Sequence, residues 1–245
     1  MCTNPLQPRM ANARARAGVA AQRRLRNGSM NFFGHAVLAD WKCPDSGFVL
    51  GAMLPDFAAM LRVRAPLGLS PRIARGIDFH HATDHVFHEL EDFRALVRHG
   101  VEWLTGQRVR RGSARAAAHV GVELLLDAEW ASEARPRQAY AAALGHGARA
   151  ASPLLEWSGT GDAARFEGLR SLLLEREPAA QWSDARQISQ RLGRALSGRP
   201  RLELQPGEEL VIAEWVEQTR AAVARCAPAL RAALRAELSG FAVES

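Results

Sequence analysis

Two segments of this sequence place ionisable side chains at intervals of four, and only a helix turns that spacing into a face. His80, Asp84 and His88 form one set; His119, Glu123 and Asp127 form the other. Side chains four apart on a helix project the same way, and those eight apart still fall within about 80° of each other. Valines and leucines between 120 and 126 occupy the faces beside the second set. A helix patterned like this is largely buried, and a buried charge is costly unless it is paired or bound to a metal ion.

Helical punctuation continues along the rest of the chain. A first helix is predicted over 31–41, and Cys43-Pro44-Asp45-Ser46 breaks it. Asp45 or Ser46 then caps a second helix reaching about 63, kinked or divided at Pro55. Ser70-Pro71 is a start signal for a third, running to about 98 with Gly100 just beyond its end. Ser113 is the expected cap of a fourth, ending near 131. Further helices are expected over 136–150, 161–176 and 183–197, and a last long one over 206–238 that Pro228 should kink. The best strand signal is the short stretch 201–204. Neither an internal repeat nor a dividing linker is visible, so the expectation is one all-α domain over 30–240.

The sequence carries a formal net charge of +6, which invites a nucleic-acid reading, but the charge is unevenly placed. Six of the 32 basic residues (Arg9, Arg14, Arg16, Arg23, Arg24, Arg26) lie in 1–29 with no acid beside them, so residues 30–245 balance at 26 of each sign. With one tyrosine and no basic-aromatic motif, a nucleic-acid binder is not expected. The basic leader lacks the apolar core of a secretory signal. It reads as a disordered tail or a start assigned upstream of Met30, an arginine-rich targeting segment being the competing reading. No apolar run approaches the roughly 18–20 residues that span a bilayer, so no membrane association is expected. Cys2, Cys43 and Cys226 are far apart and form no C-x-x-C pair. That spacing fits a reducing cytoplasm better than a disulfide framework.

Candidate chemistry gathers in four helices. Five of the eight histidines fall between 80 and 99, and imidazole with carboxylate at i, i+4 chelates Zn, Mn or Fe. His35 stands in the otherwise apolar Met30-Asn31-Phe32-Phe33-Gly34-His35 run, and Asp56 in Leu54-Pro55-Asp56-Phe57. Each of these alone also reads as a hydrogen-bonded core group, and a buried salt bridge is the alternative reading of His119 with Glu123. Four successive helices that each offer a buried-looking histidine or acid point to one shared centre. His81, His85 and Asp127 have no assigned role.

These residues resemble the acyl carrier protein phosphodiesterase family, a divergent branch of the HD-domain metal phosphohydrolases. The opening from Met30 to His35 is similar to that family's amino terminus, and Leu54-Pro55-Asp56-Phe57 to its L-x-D-F segment. Gly76-Ile77-Asp78-Phe79-His80-His81-Ala82-Thr83-Asp84 resembles its G-I-x-x-H-R-x-x-D segment. Its D-x-x-x-D-H helix ending in Trp lies over 119–130. Gly198-Arg199-Pro200-Arg201-Leu202 and Ala227-Pro228-Ala229-Leu230 resemble two later segments. The likeness covers about 31–234. It departs where the family has arginine at His81, acids at His88, His119 and Glu123, and histidine at Leu124.

The resemblance implies an HD-domain-like bundle and a divalent metal held by His35, Asp56, His80 and Asp84. His119, Glu123 and His88 would complete the shell. The nitrogen-rich departures favour Zn or Fe over Mg. Asp56 or Asp84 would act as base or orient the water. The family substrate is holo acyl carrier protein, which loses its 4′-phosphopantetheine. That acidic partner would meet Arg62, Arg64, Arg72 and Arg75, or Arg108, Arg110, Arg111 and Arg115. A related hydrolase of nucleotides or phospholipids, and a non-enzymatic helical module, are the alternatives.

Overall fold

The computed structural model describes residues 32–146, 154–175, 182 and 184–243, so the leader lies outside it. These residues form an all-α bundle of nine helices with one two-stranded ribbon. The helices are α1 (Phe32–Lys42), α2 (Ser46–Leu61), α3 (Pro71–Phe87), α4 (Glu91–Gly106), α5 (Arg111–Trp130), α6 (Ala134–Gly145), α7 (Asp162–Glu175), α8 (Ala185–Leu196) and α9 (Glu208–Glu237). In the ribbon, β1 (Leu67–Gly68) pairs antiparallel with β2 (Leu155–Glu156), Leu67 opposite Glu156. Among the described residues, no helix is long and apolar enough to cross a membrane.

Helix α2 sits at the centre because, Asp56 apart, its side chains from Gly47 to Ala58 are apolar. Every residue from Gly47 to Ala58 is buried, and a helix apolar on all sides must be enclosed by others. Helices α1, α3, α6 and α7 surround it. The Asp45 carboxylate accepts from the Phe48 N–H at 2.9 Å and caps its start. Arg62, in the left-handed region at φ 57°, ends it, and Val63 donates back to the Ala58 carbonyl. Pro55 does not divide the helix.

Glycines let α2 and α3 touch backbone to backbone. A Cβ on Gly51 would stand 2.2 Å from the Ile73 carbonyl oxygen, and one on Gly76 2.2 Å from that of Phe48. On the far side, α9 packs against α4 and α5 through Trp215, whose ring fills a slot floored by Gly100 and Gly121. The chain end is fastened back onto the amino-terminal helices. Lys42 donates to the Leu238 and Ser239 carbonyls at 3.2 and 2.6 Å, closing the last turn of α9. Arg75 donates to the Ala242 carbonyl and lies over the Phe241 ring at 4.1 Å.

Several expected elements differ. The helix predicted from 71 to 98 is two, since α3 stops at Phe87, His88 caps it, and α4 begins at Glu91. Neither glycine nor proline marks that break. Arg94 Nε holds the freed His88 carbonyl at 3.0 Å, and the Phe87 and Phe93 rings pack 4.3 Å apart across the corner. Gly100 lies within α4 rather than beyond a helix end. Arg110, not Ser113, precedes the first turn of α5, and Ser113 Oγ donates instead to the Glu203 carbonyl. Residues 201–204 make no strand; Leu202 and Glu203 both donate to the Arg199 carbonyl in a turn. Helix α6 ends at Gly145, and residues 147–150 of the predicted 136–150 lie outside the described residues. Helix α9 runs through Pro228 as one element.

Because the α2–α3 contact is backbone on backbone, Gly51→Ala or Gly76→Ala should force the helices apart. Overpacking of this kind costs about 1–3 kcal/mol. Denaturant melts should show that loss, whereas Gly145→Ala, which meets nothing within 4 Å, should leave the midpoint nearly unchanged.

Candidate metal centre

Asp56 is a carboxylate in the middle of a buried helix, so its neighbours must answer its charge. They come from the two helices packed closest to that turn of α2. His35 of α1 places Nε2 3.7 Å from Asp56 Oδ2 and 3.3 Å from Asp84 Oδ1. His80 of α3 places Nδ1 4.0 Å from Asp56 Oδ2 and Nε2 3.6 Å from Asp84 Oδ2. The two rings lie 4.0 Å apart. His35, Asp56 and His80 are almost wholly buried, and Asp84 opens partly to a cleft.

The tautomer of His80 follows from its partner. Its Nδ1 lies 2.9 Å from the Ala52 carbonyl, which only accepts, so Nδ1 carries the proton and Nε2 presents a lone pair. A backbone carbonyl that orients a histidine in this way is the usual second support of a metal ligand. Neither ring nitrogen of His35 makes a hydrogen bond. Its distances to the carboxylates exceed the roughly 2.7–2.9 Å of a charge-assisted bond. Donor atoms each about 2.1 Å from one ion stand roughly 3.0–3.4 Å apart, a range that the 3.3 Å from His35 Nε2 to Asp84 Oδ1 meets and the other three separations exceed.

The other expected ligands do not join this group. His88, His119 and Glu123 meet separately, both Nε2 atoms 3.2 Å from the same Glu123 Oε1. Sequence spacing suggested one centre from four helices, and the structure forms two clusters. The break after Phe87 is the reason, because His88 belongs to a helix end and faces α5 instead of continuing the α3 stripe. Asp84 lies between the clusters, close enough for its charge to act on His88 and His119.

Asp127 is buried and takes a structural post. Its Oδ1 accepts the Gly34 N–H at 2.8 Å, satisfying one of the unpaired donors in the first turn of α1, one residue before His35. His81 and His85 are exposed, and only His81 reaches the cleft.

The electrostatics divide the histidines. Burial alone would lower His35, but Asp84, Asp56 and Asp127 outweigh it and push its pKa up to about 9. Burial and the neighbouring His35 charge hold His80 well below its ordinary value, so it stays neutral. Burial would raise Asp84, yet His35, His80 and His88 pull it far down. Glu123 likewise overcomes its burial through His119 and His88 and sits at about 2. Asp127 goes the other way, driven well up by burial and by Asp56 and Glu123 despite the Gly34 bond.

Both clusters open into a cleft of about 2140 Å³. Of the expected arginines, Arg62, Arg64 and Arg115 line it. Arg72, Arg108, Arg110, Arg111 and Arg75 do not. Arg75 is engaged with Asp78 and the chain end, and Arg110 with the Glu203 carbonyl. Sequence reasoning missed Arg165, Arg191, Arg194 and Arg199, which complete a cationic wall. The spacing of Arg191 and Arg194, three apart on amphipathic α8, was the available signal. Met60, Val63, Leu169 and Trp182 supply apolar lining.

The fold and site thus define an all-α protein with buried histidine–carboxylate clusters at a cationic cleft. No protein-family model, curated protein or solved structure matches the chain.

A raised histidine pKa contributes stability that is complete below the unfolded value, 6.5, and is lost as pH rises through the folded value, about 9. Chelator-stripped protein should therefore lose stability steadily between those pH values in denaturant melts. His35→Gln should flatten that slope, and an unchanged slope would show that other groups cause it.

Proposed function

We propose that this protein is a metal-dependent phosphoric ester hydrolase whose centre is His35, Asp56, His80 and Asp84. The observation that carries the reading is the aim of the four side chains. Three helices bring them together, with His35 Nε2 3.3 Å from Asp84 Oδ1, His80 Nε2 3.6 Å from Asp84 Oδ2, and the free Nε2 of His80 fixed by the Ala52 carbonyl. The donor set, two imidazoles and two carboxylates, suits Zn, Mn or Fe. A divalent ion held by these residues would supply a nucleophilic water near neutral pH and Lewis acidity towards a phosphoryl oxygen.

The protein's own groups do the rest. Asp84, partly open to the cleft and strongly favouring its ionised form, is placed to accept a hydrogen bond from the attacking water and orient it. Asp56, enclosed in α2, holds its charge against His35 and His80 and keeps both rings in place. Arg62, Arg64, Arg115 and Arg194 line the cleft and suit an anionic substrate.

Resemblance to the acyl carrier protein phosphodiesterases and the HD-domain-like bundle they form supports 4′-phosphopantetheine release from holo acyl carrier protein. The cationic cleft wall suits that acidic partner. A second reading, hydrolysis of a phospholipid, draws on Met60, Val63, Leu169 and Trp182, which would accept an apolar group beside the phosphate.

Full-length protein loaded with Zn, Mn or Fe should cleave a generic phosphodiester and release phosphopantetheine from holo acyl carrier protein. His80→Ala and Asp84→Asn should each lower the rate by roughly 100-fold or more. Cleavage of phospholipid but not of carrier protein favours the second reading. No turnover of any of them, with no ion bound, would leave a salt-bridged helical module.

A further inference from the structure

We infer that His88, His119 and Glu123 form a second divalent-ion site of their own, so that the cleft holds two ions rather than one. The inference extends the proposed function but can fail separately from it.

Glu123 is fully buried on α5, and its Oε2 has no hydrogen-bond partner. A buried carboxylate oxygen left without a partner costs stability, and Oε2 is such an atom. Its other oxygen faces two imidazoles at once, His88 Nε2 and His119 Nε2 each at 3.2 Å. That is the spacing of atoms sharing one ion, roughly 3.0–3.4 Å. The His88 and His119 rings stack 4.9 Å apart at 25°, with both Nε2 atoms towards the same Glu123 oxygen.

The supports around the trio are those of a held site. His88 caps α3 and is fixed by Arg94 on its carbonyl. Phe93 packs against both rings, at 5.5 Å from His88 and 5.3 Å from His119. Burial falls unevenly: Glu123 is enclosed, while His88 and His119 are 31% and 41% exposed and face the cleft. Three protein ligands with one open side is the arrangement of a reactive zinc site, not of a closed structural one. Two nitrogens and one oxygen favour Zn over Mg.

The test counts ions on the full chain. Protein stripped with chelator and dialysed against Zn(II) alone should bind two equivalents by elemental analysis. His119→Ala should bind one, and so should His80→Ala, each losing a different ion. Cobalt(II) in place of zinc separates them further, because each variant should abolish a different part of the visible d–d spectrum. Glu123→Gln keeps the shape of the buried side chain and guards against misfolding, and it too should leave one equivalent. One equivalent in the unaltered protein, lost in His80→Ala and kept in His119→Ala, would overturn the second site and leave the first. A single equivalent lost in every variant would overturn it in favour of one shared shell. Two equivalents without hydrolysis would overturn the proposed function and leave this inference standing.

Discussion

Everything at the centre depends on one carboxylate placed where no charge is comfortable. Asp56 lies inside α2, a helix apolar on every face, and it can stay ionised there only if cations or an ion stand beside it. That requirement fixes where His35 and His80 must be, and hence how α1 and α3 cross α2. The glycine contact between α2 and α3 brings the backbones close enough for His80 to reach both Asp56 and the Ala52 carbonyl. The packing of the core and the geometry of the site are therefore one problem with one solution.

Asp127 ties the second half of that solution to the first. Helix α5 has no ligand in the His35 group, yet its buried carboxylate holds the first turn of α1 by the Gly34 N–H. Burial drives Asp127 towards its neutral form, and the Gly34 N–H opposes that shift. The stripe His119, Glu123, Asp127 thus divides its labour: His119 faces the cleft, Glu123 is enclosed beneath it, and Asp127 braces a neighbouring helix.

Much of this was legible in the sequence because the relevant forces are local. Asp45 and the Ser70-Pro71 pair announced their helices, and both cap as expected. The i, i+4 pairs His80–Asp84 and His119–Glu123 met in space because the helix period alone brings them together. His35 and Asp56 could be picked out as polar residues in apolar runs, and both are buried. What escaped reading was tertiary. Nothing at 88–90 resembles a stop signal, and the break there is imposed by Arg94 and by the packing of Phe87 on Phe93. Ser113 has the chemistry of a cap, but a carbonyl from residue 203 claims its hydroxyl. Arginines from α7 and α8 join the cleft through long-range packing that no local pattern encodes.

The fastening of the chain end has a consequence in time. Every donor of both clusters falls between residues 35 and 123, whereas the groups that Lys42 and Arg75 grip lie at 238–242. During synthesis the donors therefore leave the ribosome well before the segment that closes over α1 and α3. The donors could thus meet an ion before residues 238–242 are made, and that later segment then fastens α1 and α3 around them.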